Sequence, residues 1–463
     1  METLDIRAPH DNRLIETLPL QDKAAVETAL QTAYSLYRDR SRWMPKHQRV
    51  AILERLVGLM GEQVEELTNI AAEEGGKPYQ DSKVEVHRAI NGVKLAIEHL
   101  GQMGGQEIPM GHTASSVNRL AFTTREPIGV VVSISAFNHP LNLIVHQTVP
   151  AIAVGSPVIV KPALTTPRSC LKLVELINEA GLPKEWCQAL LCGNEAAEQL
   201  VTDERVNYLS FIGSARVGWY LRSKLAPGTR IALEHGGAAP VIVGEDADLD
   251  AILPPLMKGG FYHAGQVCVS VQRVYAPQNQ SRSLAEKLAA AAEKLVVGDP
   301  LDAATEVGPL ILPREVDRVE AWVAEAKAAG AEVLCGGHRI NDFYYAPTVL
   351  LDPPADAKVS TQEIFGPVVC VYSYTDRMEA IERANSLPYA FQASVFTQHL
   401  DTALDTVQRL NATAVMVNDH TAFRVDWMPF GGRDASGIGM GGIPYSMHEM
   451  TREKLMVLKS SVL

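Results

Sequence analysis

The stretch Tyr208-Leu209-Ser210-Phe211-Ile212-Gly213-Ser214-Ala215-Arg216-Val217-Gly218 reads as a short apolar strand, a glycine turn and the opening of a helix. Outward from it the same unit repeats. Upstream lie apolar runs at 130–134 and 158–160, a helix pattern at 167–180, a run at 188–191 and a helix pattern at 195–201; downstream comes a run at 230–233. Short apolar runs alternating with amphipathic helices signal a parallel sheet of right-handed βαβ units, so the expected class is α/β. Ligands of such sheets sit beyond the carboxyl ends of the strands. That rule picks out Asn138, Lys161, Gly213 with Ser214, and Glu234.

Ahead of this region, residues 22–100 carry apolar residues at helical spacing, with Val50, Leu53, Leu56, Val57 and Met60 on one face and Val84, Ile90, Val93 and Ile97 on a later one. A helical N-terminal layer follows from that spacing. After it, a second strand–helix series runs through strands at 240–243, 271–275, 368–372, 391–396 and 414–417, with helices at 247–260 and 281–295. This series is expected to form a separate domain hinged at 234–240. The glycine-rich stretch 429–442 reads as a loop and 453–459 as a final strand.

With 463 residues the chain is long enough for two or three domains, and 46% apolar against 21% charged residues is the balance of a globular protein. A net charge of −12 gives no basic surface for nucleic acid or anionic lipid. No apolar run reaches the roughly 20 residues of a membrane helix, and residues 1–11 lack the pattern of a signal peptide, so a cytoplasmic protein is expected. The six cysteines contain no CxxC pair and no zinc-like spacing with histidine. They read as reduced thiols, and no metal is expected.

One cysteine stands apart. Cys268 lies in Phe261-Tyr262-His263-Ala264-Gly265-Gln266-Val267-Cys268-Val269-Ser270, a glycine-containing bend between a helical run and a β-rich run. A loop thiol is a candidate covalent nucleophile; alone, such a cysteine is more often a small buried apolar residue. The strand-end residues supply what a thiol would need. Glu234 before two glycines suits a general base or a satisfied hinge carboxylate. Asn138 offers N–H groups to an oxyanion, or serves as a turn residue before His139-Pro140. Ser214 opens a helix whose N-terminus could seat a pyrophosphate, although the GxGxxG spacing is missing.

Taken together and in order, Asn138 in AFNHP, Lys161 in VIVKPA, FIGSARVG ending at Gly218, Glu234 in EHGG, Cys268 in GQVC, Glu363-Ile364-Phe365-Gly366-Pro367, and Pro429-Phe430-Gly431-Gly432 followed by Ser436-Gly437-Ile438-Gly439 resemble the aldehyde dehydrogenase superfamily over nearly the whole chain. The resemblance implies a Rossmann-like cofactor domain (1–108 and 128–235), an α/β catalytic domain (236–443) and a β-flap for oligomerisation (109–127 and 444–463) that extends a partner's sheet in a homodimer or homotetramer. It implies NAD or NADP as cofactor and a small aldehyde as substrate. Cys268 would be the nucleophile, Asn138 with the Cys268 N–H the oxyanion hole, and Glu234 the base for the hydrolytic water. Lys161 would meet the adenosine ribose, Gly213, Ser214 and Gly218 the pyrophosphate, Glu363 the nicotinamide ribose and Phe365 the nicotinamide. Two alternatives stay open: a CoA-acylating dehydrogenase, and a catalytically silent structural relative.

This chain also departs from the pattern. Phe137 replaces a frequent tryptophan, His139 and His235 stand where many relatives are apolar, and Gly441 stands where many carry a glutamate, which leaves the proton route from Glu234 open. Leu164 replaces a glutamate that binds the ribose 2′-hydroxyl in many NAD-preferring relatives. Phe423-Arg424-Val425-Asp426-Trp427-Met428 and Tyr445-Ser446-Met447-His448 look most like the lactaldehyde and phosphonoacetaldehyde dehydrogenase branch. Phe137, His139, His235 and Arg424 are therefore the expected pocket residues for a polar or anionic substrate. Arg424 has a competing reading, as an ion-pair partner of Asp426 or another carboxylate that shapes the loop.

Overall fold

A computed structural model describes residues 2–463. Strands Val130–Ile134, Val158–Lys161, Cys187–Ala189, Val206–Ile212 and Arg230–Glu234 form a parallel array. Helices cover both faces, because consecutive side chains of the central strands, which point to opposite faces, are apolar. Val131, Val158 and Val160 face one core, while Val130, Val132 and Ile159 face another. Strands buried on both sides read as continuous apolar runs, which made them visible in the sequence.

The helix Asn142–Val154 between the first two strands has every residue buried. Its apolar character runs all the way round, so no helical stripe marks it. It ends at Gly155, whose φ of +90° is the left-handed C-cap that favours glycine.

Seven strands form the second sheet, in the order Glu332–Cys335, Thr348–Leu351, Val368–Tyr374, Val271–Pro277, Ala239–Val243, Gln392–Phe396 and Ala414–Val417. All its pairings are parallel except that of Glu332–Cys335. Residues 235–238 join the two large sheets. A third, antiparallel sheet pairs Thr451–Lys459 with Arg119–Pro127, and that strand with Glu107–Ile108.

Two expectations need correction. The stretch 429–442 is not only loop: Gly437–Ile438 pairs antiparallel with Glu234 and Leu233, adding a sixth strand to the first sheet. Glycines hid this strand, since they carry no β-pattern; Gly437 has φ +149° and a Cβ there would meet the Leu233 carbonyl at 2.0 Å. The span 236–443 therefore does not stay on the second sheet. Nor does 444–463 belong wholly to the flap, because helix Ile443–Glu449 places Ile443 and Met447 in the first sheet's core.

Among the described residues no helix is long and apolar enough to cross a membrane. No group of three or more His, Cys, Asp or Glu is placed to hold a metal ion among them either.

Candidate active site

Parallel strands put their carboxyl ends on one edge, and in the first sheet the neighbouring strands there end at Glu234, Ile212, Ile134 and Lys161. The second sheet turns the opposite ends toward them: Cys268 precedes strand Val271–Pro277, and Glu363 precedes Val368–Tyr374. Between the two edges lies a cleft of about 500 Å³. Cys268, Glu234, Asn138, Phe137, His139, Gly213, Ser214, Glu363, Phe365 and Arg424 all line it.

The chain reaches Cys268 through a strained bend. His263 and Ala264 both adopt left-handed φ, +48° and +53°, where side chains are disfavoured. Gln266 secures the bend: its amide donates to the carbonyls of Pro309 at 3.1 Å and His263 at 3.3 Å, and its oxygen accepts from the Ile311 N–H at 3.0 Å. Burial pushes the Cys268 thiol well up, the Glu234 charge adds to this, and Arg424 opposes it.

Asn138 is buried and donates one amide N–H to the Gln266 carbonyl at 2.9 Å. That bond fixes the amide plane and leaves the second N–H to point elsewhere. Beneath it lies a feature that the sequence reading missed. Lys77 and Glu85 form a fully buried ion pair; Lys77 donates to the Asn138 carbonyl at 3.2 Å, and one Glu85 oxygen accepts from the N–H groups of Leu141 and Asn142 at 2.9 Å each. A signal was present, because Asp81, Glu85 and Arg88 recur at spacings of four and three on helix Tyr79–Leu100, a charged stripe beside its buried apolar face.

Glu234 ends its strand at the back of the cleft, and burial raises its pKa while Arg424 lowers it. Its Oε1 lies 4.0 Å from Arg424 Nη1. Arg424 does not pair with Asp426. Asp426 is already claimed by Arg88 at 2.7 and 3.1 Å, His146 at 2.8 Å and Asn142 at 3.3 Å, and the Arg88–His146 environment holds it well below the usual carboxylate range. The Arg424 guanidinium instead lies 3.5 Å over the Phe430 ring and 3.4 Å from His146 Nδ1, with its buried Nε lacking any partner.

The two histidines separate. His139 Nε2 lies 3.0 Å from the Tyr262 hydroxyl inside the cleft, and burial with the charges of Lys77 and Arg88 keeps it neutral. His235 borders the cleft farther along, beside Gly213, its Nδ1 at 2.9 Å from the Gly213 carbonyl and its ring between Phe211 and Trp219. A Cβ at Gly218 would lie 2.0 Å from that ring, so Gly218 makes room for the imidazole.

The dinucleotide side has the features such a ligand needs. Ser214 caps helix Ala215–Arg222 without a side-chain hydrogen bond, leaving N–H groups at the turn after Gly213. Lys161 is buried, donates to the Pro162 carbonyl at 3.1 Å, and Leu164 sits half-buried in the turn that follows. Glu363 occupies the space a Cβ on Gly236 would need, at 1.5 Å. Its Oε1 is buried without a partner and burial raises its pKa to about 8. An orphaned carboxyl beside the cleft fits a hydroxyl-bearing ribose. Phe365, at φ +47°, sets its ring edge-on to Phe137, 5.8 Å away. Arg318, also missed, holds that bend by donating to the Ile364 carbonyl at 2.7 Å while lying 4.8 Å over Trp322.

Comparison with known proteins agrees with this geometry. The chain matches the Aldehyde dehydrogenase family over residues 1–456. It is 40% identical to the 3-sulfolactaldehyde dehydrogenase of Priestia aryabhattai over 94% of this chain and 89% of that one. It is 36% identical to the lactaldehyde dehydrogenase of Methanocaldococcus jannaschii, covering 99% and 97%. The crystal structure of a glyceraldehyde-3-phosphate dehydrogenase from Methanocaldococcus jannaschii, complexed with NADP, superposes with a TM-score of 0.94 at 35% identity, over 99% of each chain. With matches of this extent, the chain belongs to the aldehyde dehydrogenase family and is an NAD(P)-dependent aldehyde dehydrogenase.

Proposed function

We propose that the protein oxidises a small polar or anionic aldehyde to its carboxylic acid through a thiohemiacetal and a thioester on Cys268. The observation that carries the substrate class is Arg424: a buried guanidinium at the cleft wall, refused by Asp426 and with an unpartnered Nε. A planar donor fork of this kind suits two oxygens of a sulfonate, carboxylate or phosphonate. The names of the relatives, which act on sulfo-, hydroxy- and phospho-substituted aldehydes, support the same class. His139 with Tyr262 adds a neutral hydrogen-bonding pair for a hydroxyl.

In this reading the Cys268 thiolate adds to the carbonyl carbon, and the free N–H of Asn138 with the Cys268 N–H holds the oxyanion. Lys161, Ser214 and Glu363 bind the dinucleotide, which supplies a hydride acceptor when bound. Glu234 then takes a proton from the water that attacks the thioester, and the cysteine leaves as thiolate. The exposed Leu455, Met456, Val457 and Leu458 on the third sheet fit strand addition in a homodimer or homotetramer. Six free thiols fit a cytoplasmic place.

The test compares kcat/KM for sulfo- and phosphonoacetaldehyde, succinate semialdehyde and lactaldehyde with that for hexanal and benzaldehyde, in the parent and in Arg424→Leu. Anionic substrates are expected to lead in the parent and to lose about 10- to 100-fold in the variant, the worth of a charged hydrogen bond. A lead for the apolar aldehydes, or an Arg424→Leu enzyme with unchanged selectivity, overturns the assignment.

Cofactor choice gives a second expected result. Leu164 neither binds a 2′-hydroxyl nor repels a 2′-phosphate, and Lys161 can pair with the added phosphate. NADP should therefore be used alongside NAD, with less than roughly a thousandfold, or about 4 kcal/mol, between their kcat/KM values. A larger preference for NAD would place the discrimination in another group.

A further inference from the structure

Beside Arg424 a second guanidinium borders the cleft, and its charge is already neutralised from behind. Arg88 lines the cleft, yet Asp426 clasps it, with Nη2 at 2.7 Å from Oδ1 and Nε at 3.1 Å from Oδ2. The side chain of Arg88 is 25% exposed and that of Asp426 only 2%, so a substrate can reach the guanidinium but not the carboxylate. Oδ1 of Asp426 also accepts from His146 Nε2 at 2.8 Å, which leaves His146 Nδ1 as an acceptor 3.4 Å from Arg424 Nη2. One buried carboxylate thus pairs with Arg88 directly and steadies Arg424 through an imidazole.

The charges around this end of the cleft can be added up. Arg88 and Asp426 cancel. His146 is neutral, its pKa lowered to about 4 by burial first and by Arg424 second. Burial also keeps His139, His263 and Tyr262 uncharged. The Lys77–Glu85 pair cancels internally, and Asp81 is matched by Lys258 at 2.6 Å. Arg424 is left as the one uncompensated cation; Glu234, at 4.0 Å, and Cys268 draw on that charge whenever they ionise. A buried site with one net positive charge accommodates one negative charge, and a second would be enclosed without compensation.

We propose that Asp426 is a specificity-determining residue: by neutralising Arg88 it leaves a single cation for the substrate's head group, so that the enzyme takes aldehydes bearing a singly charged sulfonate or carboxylate and discriminates against a doubly charged phosphonate or phosphate. Asp426 touches no substrate and acts through Arg88 and His146. The inference rests on the reading of Arg424 as the residue that grips an anion.

Sulfoacetaldehyde is a monoanion at every working pH, whereas a phosphonate, like a phosphate ester, gains its second charge near neutrality. The ratio of kcat/KM for sulfoacetaldehyde to that for phosphonoacetaldehyde, followed from about pH 6 to about pH 8.5, cancels the ionisations of Cys268 and Glu234 that both reactions share. In the parent it should rise at least about tenfold across this range. Asp426→Asn keeps an acceptor for Arg88 and His146 but removes the charge, and should flatten the rise. Adding Arg88→Met to Asp426→Asn leaves Arg424 as the lone cation again and should restore it, whereas damage from a merely structural role would not be mended by a second buried change. A flat ratio in the parent overturns the proposal and needs no variant to fold; so does a parental rise in Asp426→Asn, or a double variant as flat as the single. Hexanal run alongside separates the two levels: if hexanal leads in the parent, the anionic substrate class itself fails; if sulfoacetaldehyde leads while the ratio stays flat, only the selection by charge fails.

Discussion

Cys268→Ala should lower aldehyde oxidation by about four orders of magnitude or more, the loss typical of removing a covalent nucleophile. No other cysteine can substitute, because the remaining five are fully buried. The variant should keep its fold and its affinity for dinucleotide, which calorimetry checks, since Cys268 is only half-buried and lies outside both large sheets. Turnover within tenfold of the parent would remove Cys268 from the mechanism.

The same thiol sets a pH dependence. Burial and Glu234 raise its pKa, so the thiolate fraction is small at neutral pH and grows as the pH rises. The Glu234 carboxylate, also raised, becomes an available base in the same direction. The rate should therefore climb from pH 7 to 9. Arg424 is the charge that holds both groups down, so Arg424→Leu should move the rising limb to higher pH with a small neutral aldehyde as substrate. A profile that falls across this range in the parent contradicts both shifts.

Lys77→Met should have the largest effect on stability. The Lys77–Glu85 pair is wholly enclosed, and removing one partner leaves the other charge buried without compensation, at about 3–5 kcal/mol. For a unit of this size that corresponds to a fall in melting temperature of roughly 10 °C. A double change, Lys77→Met with Glu85→Leu, should be less destabilised than the sum of the singles, because no lone charge remains. The single variant should also lose kcat at temperatures where it stays folded, since Lys77 holds the carbonyl of Asn138. A melting temperature within 2 °C of the parent would mean that solvent reaches the pair.

The residues at strand ends were legible from the sequence because a parallel sheet has one ligand edge and its buried strands are continuous apolar runs. Asn138, Lys161, Glu234 and the Gly213 turn followed from that rule alone, before any likeness to a family was used. Residues that act through tertiary contacts were not legible in the same way. The spacing of Asp81, Glu85 and Arg88 marked a polar stripe but not Lys77 as its partner across a turn, and Arg318, which grips a bend 46 residues away, leaves no local pattern. His146 lies in a helix buried on every side, where a polar residue looks like any core hydrogen-bond donor. The carboxylate beside Arg424 is Glu234, at 4.0 Å, and not its sequence neighbour Asp426, for a related reason: adjacency in sequence says nothing of Arg88, which reaches Asp426 from 338 residues away.

The short strand Gly437–Ile438, laid against Leu233 and Glu234, has a consequence for the order in which the enzyme matures. Until residue 438 has left the ribosome, the strand carrying Glu234 is an open edge, and Asp426, which orients Arg88 and His146, has only just been made. The amino-terminal part of the chain can bury much of its helices earlier, since helices Lys46–Glu62, Tyr79–Leu100 and Asn142–Val154 pack on one another, with Ile443 and Met447 completing their core later. Contacts that span two hundred residues form last, because their loop-closure entropy must be met before they give any return. A nascent chain therefore carries its thiol from residue 268 to residue 438 without the strand that registers Glu234, and under the proposed mechanism hydrolysis of an acyl-enzyme waits for that strand.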